Sequence, residues 1–389
     1  MTRSTARILL ATTALGLGGG CGGPDAAPEN EKPSAPPPGA APSKPEKPFG
    51  HTGLDGRFGD IAAQGERVFV AYASPEGHPS FARSDDGGAS WPAKHRRRID
   101  EAAKARQISL AVDGELVVVA YGDGAGLRVA RSDDRGASWP AASIAIADPG
   151  ERVGLFSDVV IAGDDVFVSY TAHVQHQVRF ARSRDRGASW LAEDRRTIDD
   201  TAVSKGGWYT SMVADGDTLR VAYNGAYTAR GAGKSLRVAR SDDRGASWPA
   251  ASIATVDGPE CTLGAFAALA PHGDRLFAAY ATKTEIKLAV SEDGGRTWPA
   301  ERVRSLDATK RPRQVGSVAV RVLGRRAIVS YELANELRVA VSVDGGRSWP
   351  RSAITTLDGI AMGDGPRRGG RMERRARLAG TRDRQYLLY

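Results

Sequence analysis

Six aspartates could carry acid–base chemistry or hold turns. Asp100, Asp148, Asp199, Asp257, Asp307 and Asp358 each follow a tryptophan by nine residues. A carboxylate can protonate a leaving group, and it can equally accept the N–H groups of a tight turn. Because all six recur at one spacing, turn capping is the reading that fits every copy. A second candidate set is aromatic. Trp208 is the only tryptophan outside the repeated string described below; it stands beside Tyr209, with Tyr227 in the polar loop that follows. Adjacent rings near basic groups can stack a sugar or pack inward. His78, His173 and His176 have no cysteine nearby and no H-x-x-x-H spacing, so neither a metal nor another cofactor is expected.

These residues must be placed by a repeating scaffold. The string S-x-D-x-G-x-S/T-W occurs at Ser84 to Trp91, Ser132 to Trp139, Ser183 to Trp190, Ser241 to Trp248, Ser291 to Trp298 and Ser342 to Trp349, in steps of 48, 51, 58, 50 and 51 residues. That period suits a four-stranded propeller blade. Ahead of each string lies a block ending in Tyr72, Tyr121, Tyr170, Tyr223, Tyr280 or Tyr331, with a glycine seven residues before the tyrosine. Apolar runs flanking that glycine read as a β-hairpin, strands 1 and 2. A further short run, such as SFARS or LRVARS, is strand 3, and a fourth run follows the string. Within the string, Asp86, Asp134, Asp185, Asp243, Asp293 and Asp344 can accept N–H bonds, the glycine supplies φ > 0, and Trp91, Trp139, Trp190, Trp248, Trp298 and Trp349 can bury their rings. The strings are read as turn staples, without catalytic or metal-binding duty.

Strand direction then assigns the rims. With alternating strands, the hairpin glycines and the six strings share one rim; the loops between strands 2 and 3 and the links between blades share the other. Nine residues at about 3.3 Å each cross a sheet of ordinary height. The six recurrent aspartates therefore lie near the loop rim. The repeats run over about 57–100, 106–148, 155–199, 208–257, 265–307 and 316–358, and a C-terminal hairpin over 377–389 offers a way to close the ring or to begin a seventh blade.

The chain has 389 residues, 54 Lys and Arg against 46 Asp and Glu, and a net charge of +8. The basic residues are scattered among the acids, which argues against nucleic acid as partner. Arg3 and Arg7 precede an apolar run, Ile8 to Leu17, and a glycine-rich stretch leads to Cys21. This reads as an export signal over 1–21, and its end resembles the lipobox of bacterial lipoproteins, whose cysteine is acylated. Residues 22–50 are rich in Pro, Ala and Gly and read as a disordered tether before the propeller, 51–389. With Cys21 acylated, Cys261 is left alone and no intrachain disulfide forms.

The strings identify a resemblance to Asp-box, or bacterial neuraminidase, repeats, and the chain is similar over 57–358 to sialidase-like six-bladed β-propellers. The resemblance implies an all-β fold whose Asp boxes lie on the face away from any active site. It implies Asp100 as general acid, and Arg57 as one of three arginines that clamp a substrate carboxylate in that family. Arg106 stands at the same offset before its tyrosine as Arg57 does, and is assigned to substrate binding with Trp208, Tyr209 and Tyr227. The Arg-Ile-Pro motif of the family is replaced by Arg57-Phe58-Gly59, and the matching offsets in later blades hold no arginine. The reading expected first is accordingly an exported, lipid-anchored, monomeric propeller at the outer membrane or cell surface that binds a glycan or a protein partner. The alternatives are an exo-glycosidase of sialidase type acting on an acidic sugar, a non-catalytic scaffold and, for location, a secreted or periplasmic protein.

Overall fold

The structure is a computed structural model that describes residues 7–13, 49–55, 57–105, 107–200, 209–225, 234–261, 266–310, 315–334, 336–357, 377–380 and 385–388. Each repeat folds into one four-stranded antiparallel blade whose strands follow chain order from the inner edge outward. Blade 1 is built from Arg57–Gln64, Arg67–Ala73, Pro79–Ser84 and Arg96–Arg98. The inner strands of blades 2 to 6 are Ile108–Asp113, Val153–Ala162, Ser211–Asp215, Ala267–His272 and Val315–Leu323, each against the next around the ring. The six-bladed, all-β propeller is as expected. Helix among the described residues is confined to one 3-10 turn per blade.

Burial explains why these runs become strands. The second strands Leu116–Gly122 and Asp165–Ala172 are buried along their whole length. Each blade has a neighbour on both faces, so its middle strands can be apolar without a break. The core therefore lies between blades: Phe69 and Phe81 of blade 1 pack with Val117, Val119 and Tyr121 of blade 2. Burying one such large side chain stabilises by roughly 1.5–3 kcal/mol.

Each repeated string closes the turn from strand 3 to strand 4 in one way. The first serine hydroxyl donates to the aspartate carboxylate at 2.6–2.7 Å and accepts the N–H of the conserved-spacing glycine at 2.8–2.9 Å. The Ser or Thr four residues after the aspartate donates to its other oxygen at 2.5–2.6 Å. Trp91, Trp190, Trp298 and Trp349 donate their indole N–H to the glycine carbonyl, whereas Trp139 and Trp248 set their rings 5.3 and 5.4 Å from Phe81 and Phe180 of the preceding blade. The glycine is obligatory in these junctions. At Gly136, φ is +77°, and an added Cβ would lie 2.1 Å from the Phe81 ring.

A further sheet stands between blades 6 and 1. The C-terminal hairpin, Arg377–Gly380 and Gln385–Leu388, packs its first strand against the inner strands of both. Arg7–Thr13 pairs with Gln385–Leu388 and Phe49–Asp55 pairs with Arg7–Thr13, which gives this sheet four strands as well. Tyr386 and Ala379 pack with Ile61, Val68, Val70 and Trp91 of blade 1. The hairpin thus closes the ring beside the six repeat-encoded blades.

Candidate functional site

Loop-rim chemistry begins with the recurrent aspartates. The five described ones lie in or just after strand 4 of one blade and accept the hydroxyl of the tyrosine near the end of strand 2 of the next: Tyr121 to Asp100, Tyr170 to Asp148, Tyr223 to Asp199, Tyr280 to Asp257 and Tyr331 to Asp307, at 2.7–2.9 Å. A cation from strand 3 of that second blade completes each group. Arg179, Arg237, Lys287 and Arg338 reach the carboxylate at 2.7–3.1 Å, and Arg128 lies 3.9 Å from Asp100. Burial, and then the aspartate beside it, pushes the hydroxyls of Tyr121, Tyr170, Tyr223 and Tyr331 well above the ordinary tyrosine range. Asp100 also accepts the N–H groups of Ala102 and Ala103. Its carboxylate is committed to a link between blades that four other blade junctions repeat.

A second set of links runs along the inner strands, twelve residues before each strand-2 tyrosine. Asp60 of blade 1 accepts the N–H of Leu110 in blade 2 at 2.9 Å, Asp158 of blade 3 that of Met212 in blade 4 at 2.7 Å, and Ser211 of blade 4 that of Leu269 in blade 5 at 3.2 Å. Arg377 of the closing hairpin spans both carboxylates, with Nε 3.3 Å from Asp60 and Nη2 3.5 Å from Asp158. Burial raises the Asp60 carboxyl above its ordinary range against the pull of Arg377, and Asp158 adds to the rise. Two carboxylates and one guanidinium thus share one buried cluster.

An arc of rings comes from three consecutive blades. Tyr209 sits between Phe156 and Phe266, with ring centroids 4.3 Å away on each side. All three stand fourteen residues before their blade tyrosine. Phe156 lies in a break of register between Leu155 and Asp158, where a bulge re-aims the strand. Its φ is +55° and that of Tyr209 is +62°. Such a backbone is costly for an aromatic residue and persists only where neighbours enforce it. Here Gln107 of blade 2 accepts the N–H of Phe156 at 2.5 Å, and the Thr210 hydroxyl donates to its carbonyl at 2.6 Å. Phe156 keeps part of its surface exposed, while Tyr209 and Phe266 are buried.

The expected site residues are thus distributed as follows. Asp100 lies on the loop rim, bound as described. Tyr209 has both neighbours against its ring, so the stacking surface expected of it passes to Phe156. Arg57 begins the inner strand of blade 1, paired with Ala73. Arg106, Trp208, Tyr227, Asp358 and Cys21 lie outside the described residues. Asp60, Asp158, Arg377 and Phe156 were not singled out by sequence reasoning. Their signal was present only as equal offsets from the blade tyrosines, and no string rule predicts that Arg377 crosses to two different blades. No group of histidine, cysteine and acidic residues able to hold a metal occurs among the described residues.

No protein-family model and no curated protein matches this chain. Among solved structures it is similar to an ulvan lyase of a polysaccharide lyase family bound to -[GlcA(1-4)Rha3S]-, with 12% identity, a TM-score of 0.56, and 86% of this chain and 91% of the lyase covered. The α-L-arabinanase of Penicillium chrysogenum in complex with arabinobiose is similar at 16% identity and a TM-score of 0.51, over 78% of this chain and 94% of the arabinanase. A sialidase of Streptococcus pneumoniae aligns at 10% identity and a TM-score of 0.48, over 75% and 67%. The likeness to the lyase and the arabinanase shows the fold alone.

Proposed function

We propose that this protein is an exported, lipid-anchored propeller that binds a glycan through the loop-rim end of its central channel. The observation that carries the reading is Phe156, a partly exposed aromatic ring on a left-handed backbone that two neighbouring blades hold in place. A ring fixed in advance offers a sugar a stacking face with little ordering cost. Propellers similar in fold are named for work on glycans, including one bound to an acidic sulfated sugar and one to arabinobiose. Arg57, Arg106, Trp208 and Tyr227 are proposed to flank that face. The test is a glycan array probed with wild type and Phe156→Ala. Loss of a specific signal in a variant that keeps its melting temperature is expected. Unchanged binding, or no glycan bound by the wild type, overturns the reading.

One observation favours a hydrolytic alternative. Asp60 and Asp158 sit at one guanidinium with the Asp60 carboxyl raised by burial, and a pair of carboxyl groups supplies the acid and base in glycosidases. Both are already bound to backbone N–H groups, and Asp100 to Tyr121, so no turnover of a fluorogenic sialoside above background is expected. Robust hydrolysis that falls by roughly 100-fold or more in Asp100→Ala or Asp60→Asn would reverse the order of the two readings.

A further inference from the structure

Adjacent blades are joined near the Asp-box rim by an arginine of strand 3. Arg83, Arg131, Arg182 and Arg240 reach from blades 1 to 4 to a backbone carbonyl in the string of the following blade, at 3.0, 3.4, 3.5 and 2.9 Å. Each occupies the register position opposite the residue three before the blade tyrosine. In blade 5 that position is Val290, opposite Phe277. A valine cannot span the gap, and a cavity of about 480 Å³ opens there between blades 5 and 6.

The lining has changed charge as well as shape. At the junction of blades 3 and 4 the residue five before the tyrosine is Asp165, gripped by Arg182 and Arg244. The same position in blade 5 is Arg275, and the residues matching Arg182 and Arg244 are Val290 and Gly345. Blades 1 and 6 also carry arginine at that position, Arg67 and Arg326, but in blade 5 it faces a junction with neither bridging arginine. Arg275 rests over the Phe277 ring at 5.0 Å. Arg302, Arg304 and Arg347 line the same cavity, and Glu292 is the one acid among its described lining residues, 3.8 Å from Arg302. Arg304 also donates to the Arg347 carbonyl at 2.6 Å, which ties the two blades beside the cavity. Four guanidinium groups against one carboxylate leave an excess of positive charge in a recess.

We propose that the cavity between blades 5 and 6 is an oxyanion-binding site, in which an external sulfate or carboxylate group is held by the arginines that line it. Guanidinium forks match such groups in geometry. The volume falls within the range of small-molecule sites, so the group can arrive on a sugar or as a free ion. The site lies on the face opposite the loop rim and does not depend on the glycan reading given above.

The experiment measures melting temperature and titration heat for the whole protein with sodium sulfate at an ionic strength fixed by sodium chloride, and then with a sulfated disaccharide and its unsulfated counterpart. Sulfate is expected to raise the melting temperature beyond chloride. Two variants separate the site from general charge. Val290→Arg introduces the bridging arginine of blades 1 to 4 and fills the cavity; the pair Arg275→Gln and Arg347→Gln removes two guanidinium groups from its lining. Each is expected to weaken binding at least tenfold. A sulfated disaccharide that binds tenfold more tightly than both inorganic sulfate and the unsulfated sugar shows that the group is carried on a glycan; equal affinity for the disaccharide and sulfate shows a free-ion site. The same response to sulfate and chloride, or a sulfate response equal in wild type and both variants, overturns the proposal.

Discussion

The loop-rim aspartates show how one residue type can look catalytic and be structural. Asp100 has the position expected for a general acid, yet its oxygens are taken by the Tyr121 hydroxyl and two backbone N–H groups, with Arg128 close by. Removing the hydroxyl in Tyr121→Phe leaves a buried carboxylate short of one donor, and a loss of about 1–3 kcal/mol in chemical unfolding is the expected outcome. The tyrosines give a second readout. Their folded pKa is raised, so the stability they contribute is complete below the ordinary tyrosine range and is lost as pH climbs through the folded value. In an alkaline titration followed by phenolate absorbance, Tyr121, Tyr170, Tyr223 and Tyr331 should stay protonated until the fold opens. Ionisation of these four in the native protein at their ordinary range would contradict the buried link.

At the scale of the element, the string between strands 3 and 4 is a self-contained unit. Hydrogen bonds from Ser84 and Ser90 lower the Asp86 carboxyl to about 2. In Asp293, burial works the other way, but the bonds from Ser291 and Thr297 prevail and also bring it to about 2. The remaining strings shift in the same direction. A depressed folded pKa means that the contribution is present above the ordinary aspartate range and is lost as pH falls toward 2. Asp86→Asn should therefore melt below wild type at neutral pH, with the gap narrowing as both are acidified. A gap that stays constant with pH would show that the charge on Asp86 does not stabilise the turn.

The ring as a whole is closed by chain ends rather than by a seventh string. Arg377 binds carboxylates from blades 1 and 3, and its side chain is 19% exposed. Arg377→Ala strands two buried acids, and a loss of about 3 kcal/mol is expected in a denaturant melt, the scale found when one partner of a buried pair is removed. An unchanged melt would show that the hairpin closes the ring by apolar packing alone. The outer half of the closing sheet contains Arg7–Thr13, inside the expected signal segment. Processing at Cys21 would remove that strand and leave the hairpin, whose inner strand touches blades 1 and 6, to close the ring. For the anchor, the mature protein is expected to partition into detergent and Cys21→Ser to stay in the aqueous phase; equal partitioning of both would refute lipidation.

What the sequence determined by itself is the repeating part. Strings at nearly constant steps, a glycine seven residues before each tyrosine and an aspartate nine after each tryptophan were enough to place four strands per blade, assign the two rims and set the repeated strings at their turns, because the spacing fixes strand length and the strings satisfy their hydrogen bonds within a few residues. Tertiary structure decided everything that crosses between blades. Tyr121 meets Asp100, Arg377 meets Asp60 and Asp158, and Val290 opens a cavity where four other blades place arginine, all through contacts between segments from tens to hundreds of residues apart. Spacing fixes which rim a side chain occupies; only the closed ring fixes its partner, because the blades pack face to face and each residue's environment is supplied by the neighbouring repeat.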